Sequence, residues 1–130
     1  MKLHTSGEDY LEAILILKKT KGEVRSIDLA EQLGVTKPSV SRAVGLLKQG
    51  GFLKSDGPLL EFTDTGQDVA EKIYEKHCFF KERLMNFGID EKTADREACL
   101  LEHAVSEDSF NKIKASSEQD KNGAIRGRQK

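Results

Sequence analysis

Apolar side chains recur every three or four positions through most of this chain, and turn-forming residues separate the repeats. Spacing of this kind places apolar residues on one face of a helix, so the chain is predicted to be mainly α-helical. Glycine, serine, threonine and aspartate mark where the helices start and stop, and Asp90 and Ser106 are expected to cap the last two helices. The first predicted helix opens within residues 5–8 and stops at Gly22, and the third begins after Thr36 and runs to Gly50-Gly51. The others are predicted at residues 27–33, roughly 65–87, 91–104 and about 107–114.

Short apolar segments at residues 52–54 and 59–62 follow the third helix, with a turn-forming stretch between them, which predicts a two-stranded hairpin. Before it, Gly34 separates two short helices that Ser26 and Thr36 are expected to cap. These elements predict a winged helix-turn-helix followed by a second, helical domain. The predicted domains are residues 1–64 and 65–114, with a polar tail at 115–130 that we expect to be disordered.

Composition is that of a compact globular protein: 130 residues, 37% hydrophobic and 33% charged. No apolar run approaches the roughly 20 residues of a membrane span, and no signal peptide is visible, so we expect no membrane association and a cytoplasmic location. Residues 18–58 carry eight Lys/Arg against four Asp/Glu, and residues 59–110 carry six against thirteen. A basic segment followed by an acidic one fits a DNA-binding half and a cation-binding half, although ordinary solvated surface would give similar counts.

The polar face of the third helix carries short hydroxyl donors and two cations. In helix-turn-helix proteins the N-terminal half of this helix enters the major groove. Arg42 suits bidentate pairing with guanine, and Ser39 and Ser41 suit phosphates or base edges. A helical hairpin with a polar outer face would look similar, but the capped turn and the hairpin favour DNA binding. The candidate DNA-binding residues are Thr36, Lys37, Pro38, Ser39, Ser41 and Arg42.

Thiolate, imidazole and carboxylate side chains fall at helical spacing in three of the predicted helices. Side chains at positions i, i+3 and i+4 share one helix face, and this donor set suits a divalent transition metal. Each residue alone has an ordinary explanation, such as a buried histidine or cysteine or a first-turn acid. Their joint occurrence on three helices favours a metal site. The candidate ligands are Asp9, Glu12, His77, Cys99, Glu102 and His103.

From residue 5 to about residue 113, the chain resembles the diphtheria-toxin-repressor and manganese-transport-regulator family of metal-dependent repressors. The resemblance implies that the first helix, the fourth helix and a Cys/Glu-x-x-Glu-His segment bind an activating metal. It also implies a homodimer, formed by the helical domain, that places two recognition helices on palindromic operator DNA. The motifs that carry it are Glu8-Asp9-Tyr10-Leu11-Glu12, Pro38-Ser39-Val40-Ser41, Thr63-x-x-Gly66, the His77 helix and Glu97-Ala98-Cys99-Leu100-Leu101-Glu102-His103.

The match combines two branches of that family. The two acids of the first helix resemble the manganese-responsive branch, whereas Cys99 resembles the iron-responsive branch, and a thiolate favours Fe²⁺, Co²⁺ or Zn²⁺ over Mn²⁺. At the ancillary site of the iron-responsive branch this chain has Lys81 and Asp95. Because Lys81 would repel a cation, we expect no separate ancillary site. A cluster of two metal ions that share Glu12 and Glu102 as ligands is an alternative that the sequence leaves open.

The sequence therefore predicts a transcriptional repressor that binds palindromic operator DNA as a homodimer when loaded with Fe²⁺ or Mn²⁺, and that controls metal homeostasis. Zn²⁺ and Co²⁺ are alternatives for the ion. One alternative function is a winged-helix regulator that no metal controls, and another makes Cys99 a redox switch. We expect no enzyme, because the sequence has no HExxH pair, no nucleophile–base arrangement and no glycine-rich phosphate loop.

Overall fold

The computed structural model describes residues 5–54 and 57–122, and within them it contains six helices. By contacts the chain divides into two compact units, Met1–Glu75 and Lys76–Lys130. The six helices confirm the mainly helical fold predicted from the sequence. In the described part of the chain, no helix combines the length and apolarity that a membrane crossing requires. The helices are α1 (Thr5–Lys21), α2 (Ser26–Leu33), α3 (Lys37–Gln49), α4 (Asp64–Asn86), α5 (Glu91–Ala104) and α6 (Glu107–Asn122).

The first unit is built on an apolar core to which α1, α2 and α3 all contribute. Leu11, Ile14, Leu29 and Val40 are 0% exposed, so one side chain or more from each helix is completely removed from water. Burial of this kind is the main force that holds short helices together, since each alone would be marginal in water. The core therefore fixes the helix-turn-helix predicted from the sequence.

Local capping decides where the helices of the first unit begin and end. The Thr36 hydroxyl accepts a hydrogen bond from the Ser39 N–H at 3.3 Å, which confirms the predicted cap of α3. Gly34 ends α2 in the left-handed region, at φ 67°, where a side chain would be strained. The predicted cap at Ser26 is wrong by one residue, because the Arg25 N–H donates to Asp28 at 2.9 Å and Ser26 already lies in the helix.

The predicted hairpin is smaller than two full strands. Leu53 and Phe62 form an isolated antiparallel bridge, and the Lys54 N–H donates to the Glu61 carbonyl at 2.9 Å. The returning arm also pairs with the segment before α2, since Leu59 bridges Arg25 and the Leu60 N–H donates to the Val24 carbonyl at 2.7 Å. The pairing is therefore present as a short wing, and residues 55–56 at its turn lie outside the described residues.

The start of α4 packs directly on the backbone of the wing. Thr63 accepts a hydrogen bond from the Gly66 N–H at 3.0 Å and donates its hydroxyl to the Gly51 carbonyl at 2.6 Å. A Cβ at Gly66 would collide with the Phe52 carbonyl oxygen, so only glycine fits at this crossing. This approach ties α4 to the hairpin.

The second unit has a small aromatic core of its own. Phe79, Phe80 and Phe110 pack at ring-centroid distances of 5.3–5.9 Å, with Phe79 edge-on to both others. Such edge-to-face pairs stabilise a core beyond the area they bury. Phe110 is 1% exposed, so it anchors α6 in this unit.

The last helix is longer than predicted. Its start follows the predicted cap, since Ser106 accepts a hydrogen bond from the Ser109 N–H at 3.0 Å. However, α6 continues to Asn122 rather than ending near residue 114. Falling apolar content does not end a helix, and residues 115–122 contain no glycine or proline. The remainder of the predicted disordered tail, residues 123–130, lies outside the described residues.

Two glycine substitutions should change stability in opposite directions. Gly66→Ala should lower the free energy of unfolding by about 1–3 kcal/mol, because the added methyl group collides with fixed backbone. Gly45→Ala in α3 should raise it by about 0.5–1 kcal/mol, because its Cβ would meet nothing within 4 Å and alanine favours helix. Urea unfolding followed by circular dichroism measures both, and a Gly66→Ala protein as stable as wild type would contradict the packing described.

Candidate metal centre and nucleic-acid interface

Helix α5 carries three of the predicted ligands on one face. The Asp90 carboxylate caps this helix by accepting a hydrogen bond from the Thr93 N–H at 3.0 Å, which sets its start. Cys99, Glu102 and His103 then follow at positions i, i+3 and i+4. Cys99 carries a half-buried thiol, and it offers a ligand atom within 4.8 Å of one from His103. Two of the predicted donors thus already lie close enough to share an ion.

Helix α4 brings a fourth predicted ligand to the same unit. His77 lies against Glu102, with 2.8 Å between Nδ1 and Oε1. The Glu102 side chain is 0% exposed, and its other oxygen, Oε2, has no hydrogen-bond partner among the described residues. Burying a carboxylate oxygen without a partner costs free energy unless a cation compensates it.

The donors of the second unit therefore fit a divalent ion. Imidazole, thiolate and carboxylate are ligands for first-row transition metals. The buried Glu102 Oε2 is a possible ligand atom that has no hydrogen-bond partner among the described residues. A bound cation would supply that partner.

His77 also has a second carboxylate contact that the sequence reasoning did not assign to the site. Asp95 Oδ1 lies 2.8 Å from His77 Nε2 and 3.5 Å from the Lys81 ammonium. The hydrogen bond to His77 and the nearby charges of His77 and Lys81 hold the pKa of Asp95 below its usual value, despite partial burial. Lys81 lies one turn after His77, and Asp95 lies two turns before Glu102. This helical spacing, which places Lys81 on the same helix face as His77 and Asp95 on the same face as Glu102, was the signal in the sequence for the Asp95 contact.

The remaining two predicted ligands lie on α1 in the first unit. Asp9 is half-buried and Glu12 is 7% exposed, and they lie one helical turn apart. A buried carboxylate on a helix that otherwise supplies apolar core side chains is unusual and is typical of a functional position. The convergence of all six residues on one centre stays a prediction.

All six candidate DNA-binding residues lie on the exposed surface of the first unit. The Thr36 and Ser39 hydroxyls are 2.9 Å apart and form part of the helix cap. Lys37, Ser41 and Arg42 complete the exposed N-terminal half of α3. A helix N-terminus with this mixture of hydroxyl and cationic groups is suited to phosphates and base edges. The role of each residue stays a prediction.

Two family descriptions match the chain, one for each part. Residues 2–57 match the N-terminal DNA-binding domain of iron-dependent repressors. Residues 63–121 match the metal-binding and dimerisation domain of the same proteins. Together with the helix-turn-helix and the donor cluster, these matches define a metal-dependent transcriptional repressor.

Curated relatives identify the family further. The chain is 36% identical over 112 residues to an uncharacterised helix-turn-helix regulator of Methanocaldococcus jannaschii, covering 84% of this chain and 90% of the relative. It is 31% identical over 115 residues to the transcriptional regulator MntR of Salmonella typhimurium, covering 86% and 72%. The chain belongs to the iron-dependent repressor family, which includes the diphtheria-toxin repressor and MntR. This confirms the family inferred from the sequence.

Solved structures share the fold. The manganese regulator SloR matches with a TM-score of 0.74 at 28% identity, covering 91% of this chain and 55% of its own. A manganese-dependent transcriptional repressor in complex with manganese matches with a TM-score of 0.75 at 28% identity, covering 85% and 51%. This chain therefore spans about half the length of these solved structures.

The buried charge at Glu102 makes a testable prediction about stability. Glu102→Gln keeps an oxygen that can contact His77 but removes the buried negative charge. In the described part of the chain, that carboxylate has a hydrogen-bond partner at Oε1 and none at Oε2. In excess chelator the variant should melt at a temperature equal to or above that of wild type. Saturating Mn²⁺ should stabilise wild type by about 2.7 kcal/mol at one hundred times Kd, seen as a higher melting temperature, and this stabilisation should be largely lost in the variant.

Calorimetric scans with EDTA and with Mn²⁺ measure both effects. Glu82→Gln is the matched control, because it removes an exposed carboxylate from α4 and should behave as wild type. Full metal-induced stabilisation of Glu102→Gln would show that this carboxylate is not a ligand.

Proposed function

We propose that this repressor binds palindromic operator DNA as a homodimer when Fe²⁺ or Mn²⁺ occupies a centre formed by Asp9, Glu12, His77, Cys99, Glu102 and His103. The observation that carries the proposal is the buried Glu102–His77 pair, whose second carboxylate oxygen has no partner in the described chain. The pair lies within the region that matches a metal-binding and dimerisation domain.

The ion would act by joining the two units. Asp9 and Glu12 belong to α1, which contributes to the core that also holds the recognition helix α3. Four other ligands belong to the second unit, whose family description includes dimerisation. An ion bound by both sets would fix each DNA-binding unit relative to the dimer, so that two recognition helices match groove spacing of about 34 Å.

This mechanism is a shift between arrangements that already exist. Without metal, the like charges of the carboxylates disfavour the joined arrangement, and the recognition helices sample many separations. A cation changes operator affinity only by binding the DNA-competent arrangement more tightly than the others. Since repression needs only binding, we propose no catalytic activity. Contact with operator DNA implies a cytoplasmic location.

The identity of the ion depends on a balance of donors. Three of the proposed ligands, the carboxylates of Asp9, Glu12 and Glu102, suit Mn²⁺. The Cys99 thiolate shifts the preference toward Fe²⁺. Similar solved structures named for manganese regulation keep Mn²⁺ in the proposal. Zn²⁺ and Co²⁺ are useful probes because the same donors bind them.

Operator affinity should depend on metal, and one ligand substitution should remove that dependence. DNA duplexes are selected from random sequence with Mn²⁺ and, separately, with EDTA, and affinity is measured by fluorescence anisotropy. Wild type should bind the selected operator roughly 5- to 150-fold more tightly with Mn²⁺ or anaerobic Fe²⁺ than with EDTA. Asp9→Ala should bind with metal only as tightly as wild type binds in EDTA.

A second variant separates the two halves of the mechanism. Arg42→Ala should weaken operator binding by about 1–3 kcal/mol while leaving metal affinity unchanged, because Arg42 is exposed on α3. Lys72→Ala removes an exposed cation from α4 of the first unit and controls for charge alone. Equal operator affinity in EDTA and in metal would favour a winged-helix regulator that no metal controls.

A further inference from the structure

His77 contacts a carboxylate at each ring nitrogen. Nδ1 lies 2.8 Å from Glu102 Oε1, and Nε2 lies 2.8 Å from Asp95 Oδ1. An imidazole that binds a metal uses the lone pair of one nitrogen, and the other nitrogen keeps its hydrogen and donates it to an acceptor. One of the two carboxylates must therefore share the metal with His77, and the other must hold the ring.

The two sides of the ring differ in burial and in charge. On the Nδ1 side, the Glu102 side chain is 0% exposed and offers an oxygen without a partner in the described chain. On the Nε2 side, the Asp95 side chain is 55% exposed and lies 3.5 Å from the Lys81 ammonium. Lys81 also donates to Glu91 at 3.3 Å. A metal ion is disfavoured beside a fixed ammonium and favoured beside the buried carboxylate.

We propose that Asp95 is a positioning residue for the metal centre, which accepts the His77 Nε2–H and thereby presents the Nδ1 lone pair to the ion. Lys81 holds Asp95 in place, because its ammonium lies 3.5 Å from the same Oδ1 oxygen that contacts His77. Asp95 is not a ligand in this arrangement; it fixes the tautomer and the orientation of a ligand. This inference rests on the proposed metal function and assigns roles to two residues outside the six predicted ligands.

The tautomer of His77 in the Zn²⁺-loaded full chain tests the proposal directly. Zn²⁺ is diamagnetic, so nitrogen-15 spectra of the histidine rings report which nitrogen is protonated and which binds the ion. Wild type should show His77 protonated at Nε2 and coordinated at Nδ1. Asp95→Leu should lose the protected Nε2–H signal and bind Zn²⁺ roughly 10- to 100-fold more weakly in a chelator competition.

Two further variants show whether the effect comes from the hydrogen bond. Asp95→Asn keeps a carbonyl oxygen that can accept from Nε2–H, so it should lose less Zn²⁺ affinity than Asp95→Leu. Asp108→Asn removes an exposed carboxylate that pairs with Lys112 one turn along α6, and it should match wild type in both measurements. Circular dichroism of each metal-free variant checks that the helices are intact.

The outcomes separate this inference from the proposed function. Coordination of Zn²⁺ through Nε2, or unchanged affinity and unchanged tautomer in a folded Asp95→Leu, would overturn the role of Asp95 while leaving the metal function intact. A wild type that binds no Zn²⁺, Mn²⁺ or Fe²⁺ would overturn both. If Asp95→Leu does not fold, the ring spectrum of loaded wild type alone decides between Nδ1 and Nε2.

Discussion

The arrangement of the second unit depends on a carboxylate placed where water does not reach it. Glu102 has a completely buried side chain, with an imidazole on one oxygen and, in the described chain, no partner on the other. A protein selected only for stability would replace such a group with an apolar one, because desolvating a charge costs more than one hydrogen bond returns. Its retention among donors of three kinds is explained by a cation that offsets the cost when it binds.

The same constraint links stability to regulation. A site that is unfavourable without its ion must become more stable when the ion binds, and any arrangement of the chain that completes the site gains that free energy. In the proposed mechanism the completed arrangement is also the one that binds DNA, so metal concentration would set operator occupancy without any chemical reaction. The aromatic packing of Phe79, Phe80 and Phe110 joins α4 to α6 in the unit that carries His77 and Glu102.

Sequence reasoning succeeded where a signal was local. The hydroxyl and carboxylate caps at Thr36, Asp90 and Ser106 each depend on one side chain and the backbone three residues on, so they were readable directly. It failed where an outcome depended on competition or on distant contacts. The Asp28 side chain displaced Ser26 as the start of α2, and good helix formers carried α6 beyond its apolar residues. The Asp95–His77 contact joins two helices, and helix periodicity alone cannot show which faces meet.

The central claim is that metal and operator bind the same arrangement of the chain, and thermodynamic reciprocity tests it most directly. The affinity of the wild-type protein for Mn²⁺ is measured by calorimetric titration, first alone and then with saturating operator duplex. The account predicts that operator raises Mn²⁺ affinity by the same factor by which Mn²⁺ raises operator affinity. An Mn²⁺ affinity that operator leaves unchanged would contradict it, even if metal and DNA each bind tightly.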